Sequence, residues 1–245
     1  MDRAETTARH GPHGLPAPSR WPTIARGGPP IRVSFSVLLR MRHNDTYVLF
    51  NSRSRPGSYG PPGGALKYFP SAMGILEELG FQQETRNLRG EVAGLDLRGL
   101  VPARSARDFL RWFDTGAYRE DATECLRREL DEELGEVGFA GLDVGVRVLR
   151  FRPVRTVVEG PDPVPHRQFR QLRRFEIFDL LATDTVALDL VRTLAVAGAD
   201  PAVQGVVCAD RAEITHGRCC AALLGPHCAF LLGPHRLAPD LPAVR

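Results

Sequence analysis

Residues 120–135 read EDATECLRRELDEELG, a stretch that combines regularly spaced apolar residues with clustered acidic ones. Its apolar residues recur every four positions, which predicts an amphipathic helix with one buried stripe: Ala122, Leu126, Leu130 and Leu134. Asp121 is a favourable N-cap, and Glu124 follows three residues later, as a capping box requires. Gly135 predicts the position at which the helix ends.

Three carboxylates crowd one face of this predicted helix. Glu129, Glu132 and Glu133 stand at positions i, i+3 and i+4, so their side chains lie together beside the apolar stripe. One interpretation is a solvated acidic face, which is common on surface helices. The other is a site for Mg²⁺ or Mn²⁺, because these cations prefer oxygen ligands and would relieve the repulsion. The residue order RELDEELG, at 128–135, favours the metal site.

The spacing of residue types in this stretch resembles the Nudix box, G-x5-E-x7-R-E-U-x-E-E-x-G-U, in which U is a bulky aliphatic residue. The positions that match after the opening glycine are Glu120, Arg128, Glu129, Leu130, Glu132, Glu133 and Gly135. The final aliphatic position holds Glu136 instead. In the family, the opening glycine commonly ends a Pro-Gly-Gly turn, and that turn is residues 62–64 here. Between this turn and Glu120 stands an insertion of about 50 residues, roughly 67–116, which is far longer than an ordinary loop.

The insertion is amphipathic, with helical patterns over 71–79 and 106–113, so we expect it to fold onto the core. It could wall the active-site cleft and select substrates, or it could be a packing decoration or an interface. Its segments L-R-G (97–99) and F-L-x-W-F (109–113), with R-E at 119–120, are similar to one branch of the superfamily. That branch is the NUDIX domain associated with SMODS nucleotidyltransferases in bacterial cyclic-oligonucleotide antiphage systems (CBASS).

The resemblance implies an α/β (α+β) fold, the Nudix α/β/α sandwich with a mixed central sheet. It also implies a nucleotide-type small molecule as ligand. It further implies a functional association with a CD-NTase system, that is, with an antiphage system built on such a nucleotidyltransferase. Dimerisation is common in the superfamily, and a homodimer stays an open alternative. We expect one Nudix domain over 29–236, between a disordered tail at 1–28 and a C-terminal tail at 237–245.

The activity that the resemblance implies is Mg²⁺- or Mn²⁺-dependent hydrolysis of a nucleoside diphosphate linked to another moiety. The metal ligands that it implies are Glu129, Glu132 and Glu133, with Glu120 as an outer ligand or an orienting carboxylate. A backbone carbonyl near Gly64 or Ala65 is implied as a further ligand. The catalytic set that it implies is Glu129, Glu132, Glu133 and Arg128. In this set Arg128 would hold the glutamates in place, and Glu133 is one candidate for the general base. The residues expected at the substrate are Arg53, Arg55, Gly63 and Gly64.

Composition limits the other functions. The 245 residues carry a net charge of +3, which is too small to indicate nucleic-acid binding by itself. No apolar run is long enough to span a membrane. The five cysteines form no C-x-x-C pair, and this favours a reducing cytoplasm. Seven residues near the C-terminus could hold zinc, although their spacing fits no common zinc module: Cys208, Cys219, Cys220, Cys228, His216, His227 and His235.

The remainder of the chain has mainly strand patterns. Alternating apolar residues predict strands at 31–39, 46–50, 142–155, 168–180 and 205–209. In the third of these the alternation is carried by Val144, Val146 and Val148. Residues 159–166 are predicted as the loop of a hairpin, and 184–197 as a helical or mixed segment.

Two functions from different classes fit these patterns. The first is a Nudix hydrolase, favoured by the intact glutamates. The second is a non-catalytic nucleotide-sensing module, favoured by the insertion and by the branch resemblance. A third, weaker alternative is an RNA-cap or RNA-end hydrolase, which the many arginines prompt and which predicts steep salt dependence of binding.

Overall fold

The computed structural model describes residues 23–24, 27–84 and 94–240. The predicted tail at 1–28 therefore falls almost wholly outside the described residues, as does the end of the predicted C-terminal tail, 241–245.

Strands and helices alternate irregularly along the described residues. The strands are β1 (Ile31–Arg40), β2 (Arg42–His43), β3 (Thr46–Asn51), β4 (Ser58–Gly60), β5 (Gly63–Ala65), β6 (Gln82–Gln83), β7 (Arg98–Val101), β8 (Phe151–Pro163), β9 (Arg170–Leu180), β10 (Val206–Ala209), β11 (Arg218–Cys219) and β12 (Ala222–Leu224). The α-helices are α1 (Met73–Glu78), α2 (Ala106–Thr115), α3 (Ala122–Glu136), α4 (Thr185–Ala199), α5 (Arg211–His216) and α6 (Ala229–Leu232). No helix in the described ranges is long and apolar enough to cross a membrane.

The first sheet is mixed and is centred on β1. Its order is β6-β7-β1-β9-β8, and β5 also pairs with β1. Strand β1 runs parallel to β9 and antiparallel to β7 and β5. The predicted alternation along β1 is confirmed, because its core-facing side chains are all buried: Ile31, Val33, Phe35, Val37 and Leu39.

The second sheet brings the C-terminal strands beside the segment that leads into the Pro-Gly-Gly turn. Its order is β10-β3-β4-β12-β11, with β2 paired to β3. Strand β12 lies parallel to β4, and β4 ends two residues before Pro62 begins the turn. Two mixed sheets with helices packed on them agree with the predicted α+β class.

The segment at 67–116 contributes both a strand and a helix to this framework in its described part. Strand β7 pairs with β1 from Arg98 to Val101. Helix α2 buries aromatic side chains against β1, and the ring centroids of Phe35 on β1 and Phe113 on α2 lie 4.2 Å apart. A fully buried aromatic side chain contributes about 1.5–3 kcal/mol of transfer free energy. The described part of the segment therefore belongs to the core of the fold.

Two local predictions are wrong. Gly135 does not end α3, because the helix continues to Glu136, has Val137 as its C-cap, and is followed by Gly138 with φ +90°. The first half of the strand predicted at 142–155 is instead the 3₁₀ segment Ala140–Val148.

The valine alternation in this segment does not mark one face of a strand. Val146 is 1% exposed, whereas Val148 is 59% exposed, so residues two apart do not share an environment. Gly141 and Gly145 weaken the strand propensity of the segment, which packs against α3 instead. The strand β8 starts later than predicted and extends to Pro163, through part of the predicted hairpin loop.

Candidate functional site

Helix α3 starts where local chemistry specifies it. The carboxylate of Asp121 accepts hydrogen bonds from the backbone N–H of Thr123 at 2.7 Å and of Glu124 at 2.8 Å. The side chain of Glu124 accepts in return from the backbone N–H of Asp121 at 2.8 Å, so the predicted capping box is confirmed. The apolar stripe of α3 is buried as predicted, which leaves the glutamate face toward the Pro-Gly-Gly turn.

The Pro-Gly-Gly turn and the start of α3 meet because residues 67–69 pair with residues 118–120. Tyr68 and Arg119 form an antiparallel bridge. The backbone N–H of Glu120 donates to the carbonyl of Lys67 at 2.9 Å, and the N–H of Phe69 donates to the carbonyl of Tyr118 at 2.8 Å. This short ladder returns the chain to the turn, so Glu120 lies beside it despite the separation in sequence.

Arg128 links the glutamates to one another. Its guanidinium donates from Nε to Glu120 Oε1 at 2.7 Å and from Nη2 to Glu120 Oε2 at 2.9 Å, a bidentate pair. It also donates from Nη1 to Glu129 Oε1 at 2.7 Å and from Nη2 to the carbonyl of Ala65 at 3.0 Å. Burial lowers the pKa of Arg128, but the hydrogen bonds to Glu120 and the charge of Glu129 outweigh burial and raise it above its ordinary value. The guanidinium is therefore a fixed cation that positions carboxylates.

The Pro-Gly-Gly turn touches two of the three clustered glutamates. The backbone N–H of Gly63 donates to Glu133 Oε2 at 2.9 Å. Gly63 has φ +134°, and a Cβ there would overlap the backbone carbonyl of Val37. A Cβ on Gly64 would overlap the carboxylate of Glu129. Both glycines are needed for the helix and the turn to approach this closely.

Two carboxylates of the site, those of Glu129 and Glu133, are held in surroundings that disfavour their charge. Burial, followed by the charge of Glu129, raises the pKa of Glu133 well above its ordinary value. Burial also raises the pKa of Glu129. Arg128 lowers this pKa and offsets burial only in part, while the charge of Glu132 raises it further. This combination concentrates negative potential beside the turn, where a cation would stabilise the ionised carboxylates.

The donor set fits a hard divalent cation, but the side chains do not form a closed ligand shell. Glu132 is 53% exposed, and its Oε1 lies 3.5 Å from Arg128 Nη1 and 4.0 Å from Lys67 Nζ. In the described part of the chain, only Glu213, Cys219 and Cys220 form a group of three metal-ligating atoms within 4.8 Å of one another. Glu129, Glu132 and Glu133 therefore place carboxylate oxygens on one face of α3 without converging on one point.

Two residues at this site were missed by the sequence interpretation. Lys67 is the only lysine of the chain; its backbone N–H donates to Glu120 Oε2 at 3.0 Å, and its side chain reaches Glu132. The sequence did offer a signal for Lys67, because the only lysine of the chain stands shortly after the turn. The thiol of Cys125 donates to the carbonyl of Ala65 at 3.5 Å beneath the helix, and burial raises its pKa. No sequence pattern marks that contact.

The structure places three of the four predicted substrate residues against the same helix: Arg53, Gly63 and Gly64. Arg53, in the loop between β3 and β4, donates to Glu136 Oε1 at 2.5 Å, at the C-terminal end of α3. Arg55 lies in the same loop, and its backbone N–H donates to the carbonyl of Ser52 at 3.0 Å. The other two predicted substrate residues, Gly63 and Gly64, contact the glutamates directly.

A glutamate-bearing helix docked on a Pro-Gly-Gly turn, beside a mixed sheet, defines a Nudix domain. The family described as the SMODS-associated NUDIX domain matches residues 30–232, and the chain belongs to this family. No curated protein and no solved structure matches the chain.

Proposed function

We propose that this protein is a Mg²⁺- or Mn²⁺-dependent Nudix hydrolase that cleaves a nucleoside diphosphate linked to another moiety. The observation that carries the proposal is the contact between the glutamate face of α3 and the Gly63-Gly64 turn. Family membership supports a Nudix-type function. The association with SMODS proteins for which the family is named supports a role beside a CD-NTase system in antiphage defence.

The residues that would hold the cation are those that bring oxygen atoms to the turn. They are Glu129, Glu132 and Glu133, with Glu120 as an outer carboxylate and the backbone carbonyl of Gly64 as a further ligand. A divalent cation supplies neutralisation of the diphosphate and a more acidic bound water.

Arg128 acts as a positioning residue in this proposal. It holds Glu120 by two hydrogen bonds and Glu129 by one, so the two carboxylates keep a fixed separation. A guanidinium stays protonated at neutral pH, so Arg128 does not act as a general base.

Glu133 is the candidate general base, because its carboxylate lies against the turn beside which the substrate diphosphate would bind. The N–H of Gly63 fixes one of its oxygens and leaves the other available. Arg53 and Arg55 would bind substrate phosphates through charge-assisted hydrogen bonds, for which Arg53 must release Glu136.

The second candidate function is a non-catalytic nucleotide sensor on the same frame. One observation favours it: Glu129 is bound to Arg128, and the three glutamates do not converge on one point. Such a module would bind a nucleotide-type ligand and report it to an associated system without turnover.

A substrate panel with matched variants separates the two functions. The full chain is incubated with Mg²⁺ or Mn²⁺ and nucleoside diphosphate derivatives, dinucleotides and cyclic oligonucleotides, beside Glu132→Gln and Glu133→Gln. Asp131→Asn is the control, because it removes an exposed acid of the same helix outside the predicted ligand set.

Product release that persists in Asp131→Asn and disappears in both glutamate variants supports the hydrolase. Ligand binding without turnover, unchanged in Glu132→Gln and Glu133→Gln, would contradict the hydrolase and favour the sensor.

A further inference from the structure

A second group of metal-ligating side chains lies outside the glutamate site. Glu213, Cys219 and Cys220 place their ligand atoms within 4.8 Å of one another. Glu213 belongs to α5, Cys219 ends β11, and Cys220 follows it in the turn before β12. The group therefore joins a helix to the hairpin that follows it.

The local fold fixes the carboxylate of this group. Glu213 is the third residue of α5, and its Oε2 accepts the backbone N–H of Asp210 at 2.9 Å in a capping box. Helix α5 ends at Gly217, which has φ +72° and turns the chain directly into β11. The short helix and the hairpin are thus held side by side by backbone geometry.

The two thiols differ in their surroundings. Cys219 is buried, and its sulfur donates to the carbonyl of Cys208 at 3.4 Å. Burial, with the hydrogen bond and charge of Glu213, raises the pKa of Cys219 to about 12. Cys220 is exposed and has φ +50°, in the left-handed region that favours glycine or asparagine. One ligand is therefore anchored in the fold, and the other is open to solvent.

We propose that Glu213, Cys219 and Cys220 bind a thiophilic divalent cation, with Zn²⁺ as the best chemical fit. Two sulfurs and a carboxylate oxygen match the ligand types of zinc, and a tetrahedral ion keeps its fourth position for water. The softness of sulfur separates this site from the all-oxygen set on α3, which suits Mg²⁺ or Mn²⁺. On binding, each thiol releases its proton to solvent and forms a metal–sulfur bond, with no change of oxidation state.

The position of this group suggests a bracing role. The cation would tie α5 to the β11–β12 hairpin, and β12 pairs in parallel with β4. Strand β4 leads into the turn that carries Gly63 and Gly64. A bound ion therefore stabilises the sheet behind the glutamate site, whether or not that site is catalytic. At a Zn²⁺ concentration 100 times the dissociation constant, binding shifts the folding equilibrium by about a hundredfold.

Cobalt spectroscopy tests the proposal directly. Metal-stripped protein, kept reduced with a phosphine, is titrated with Co²⁺, whose thiolate charge-transfer absorption reports metal–sulfur bonds; Zn²⁺ is then added to displace it. The variants are Cys219→Ser and Cys220→Gly, and Cys228→Ser is the matched control because that buried thiol lies outside the group. Cys220→Gly removes a ligand while it relieves the left-handed backbone, so it should fold at least as well as the parent.

The expected result is a thiolate band in the wild type and in Cys228→Ser that Zn²⁺ abolishes. Cys220→Gly should weaken Co²⁺ binding by more than about a hundredfold, which exceeds the 10–100-fold that loss of an outer-sphere partner typically costs. It should also lose the Zn²⁺-dependent rise in melting temperature. No thiolate band in the wild type, or a band of equal affinity in Cys219→Ser and Cys220→Gly, would overturn the proposal. Oxygen-only binding at α3 gives no such band, so the test is independent of the proposed hydrolase.

Discussion

Removal of the Arg128 side chain should destabilise the protein far more than removal of a surface arginine. In Arg128→Met, the carboxylate of Glu120 stays buried at 7% exposure and loses its bidentate partner. Breaking a buried ion pair by deleting one partner costs about 3–5 kcal/mol. Glu120 keeps its hydrogen bond from the N–H of Lys67, so we expect a loss of about 3 kcal/mol, at the lower end of that range.

The chain provides a matched control for this change. Arg111 pairs with Asp108 at 2.6 Å on the exposed face of α2, where the two side chains are 70% and 58% exposed. Arg111→Met should change the free energy of unfolding by about 0–1 kcal/mol, as exposed pairs do. Burial, rather than the presence of an ion pair, accounts for the difference.

Urea unfolding monitored by tryptophan fluorescence measures both variants, and a double-mutant cycle with Glu120→Gln isolates the pair. The double variant Glu120→Gln/Arg128→Met should be more stable than Arg128→Met alone by about 2 kcal/mol, because residue 120 no longer carries a buried charge without its partner. A loss in free energy of unfolding that is no larger for Arg128→Met than for Arg111→Met would contradict the importance of the buried pair. So would simple additivity of the changes at residues 120 and 128.

Two further predictions concern the turn and the buried carboxylates. Gly63→Ala should destabilise the protein by about 1–3 kcal/mol, because residue 63 has a positive φ and a Cβ there would overlap the carbonyl of Val37. Gly135→Ala should stabilise it by about 0.5–1 kcal/mol, because residue 135 is helical and has no close neighbours. Equal urea midpoints for the two variants would contradict this prediction. In metal-free protein the pKa of Glu133 and the pKa of Glu129 are raised, so the folded state keeps protons that the unfolded state has released. The free energy of unfolding should therefore fall as the pH rises above the ordinary pKa of glutamate. Glu133→Gln should make this fall less steep, and an unchanged slope would show that Glu133 does not cause it.

The local part of the site could be predicted from sequence, because its signals lie within one helix. The capping box at Asp121 and the buried stripe of α3 depend only on spacing, and both are confirmed. The end of α3 was predicted wrongly because Gly135 and Gly138 give the same stop signal in the sequence. Only the backbone shows that Gly138 is the glycine with a positive φ. The valines at 144, 146 and 148 satisfied the period of a strand, whereas packing against α3 selected a 3₁₀ segment.

The long-range part could not be predicted from spacing alone. Glu120 reaches the turn through the pairing of Tyr68 with Arg119, which no local pattern specifies. The contact of Lys67 with Glu132 depends on the same pairing. The Glu213 group was missed because a carboxylate on one element completes two thiols on another, a combination that no common zinc spacing includes.

Manganese binding tests whether α3 and the Pro-Gly-Gly turn form a divalent-cation site. Free Mn²⁺ is measured by electron paramagnetic resonance during titration of the wild type, of Glu129→Gln/Glu133→Gln and of Asp131→Asn. We expect the wild type and Asp131→Asn to bind Mn²⁺ equally. The double variant should bind at least about tenfold more weakly, because it loses two of the proposed oxygen ligands. Equal Mn²⁺ affinity in all three proteins would show that the glutamates do not hold the cation.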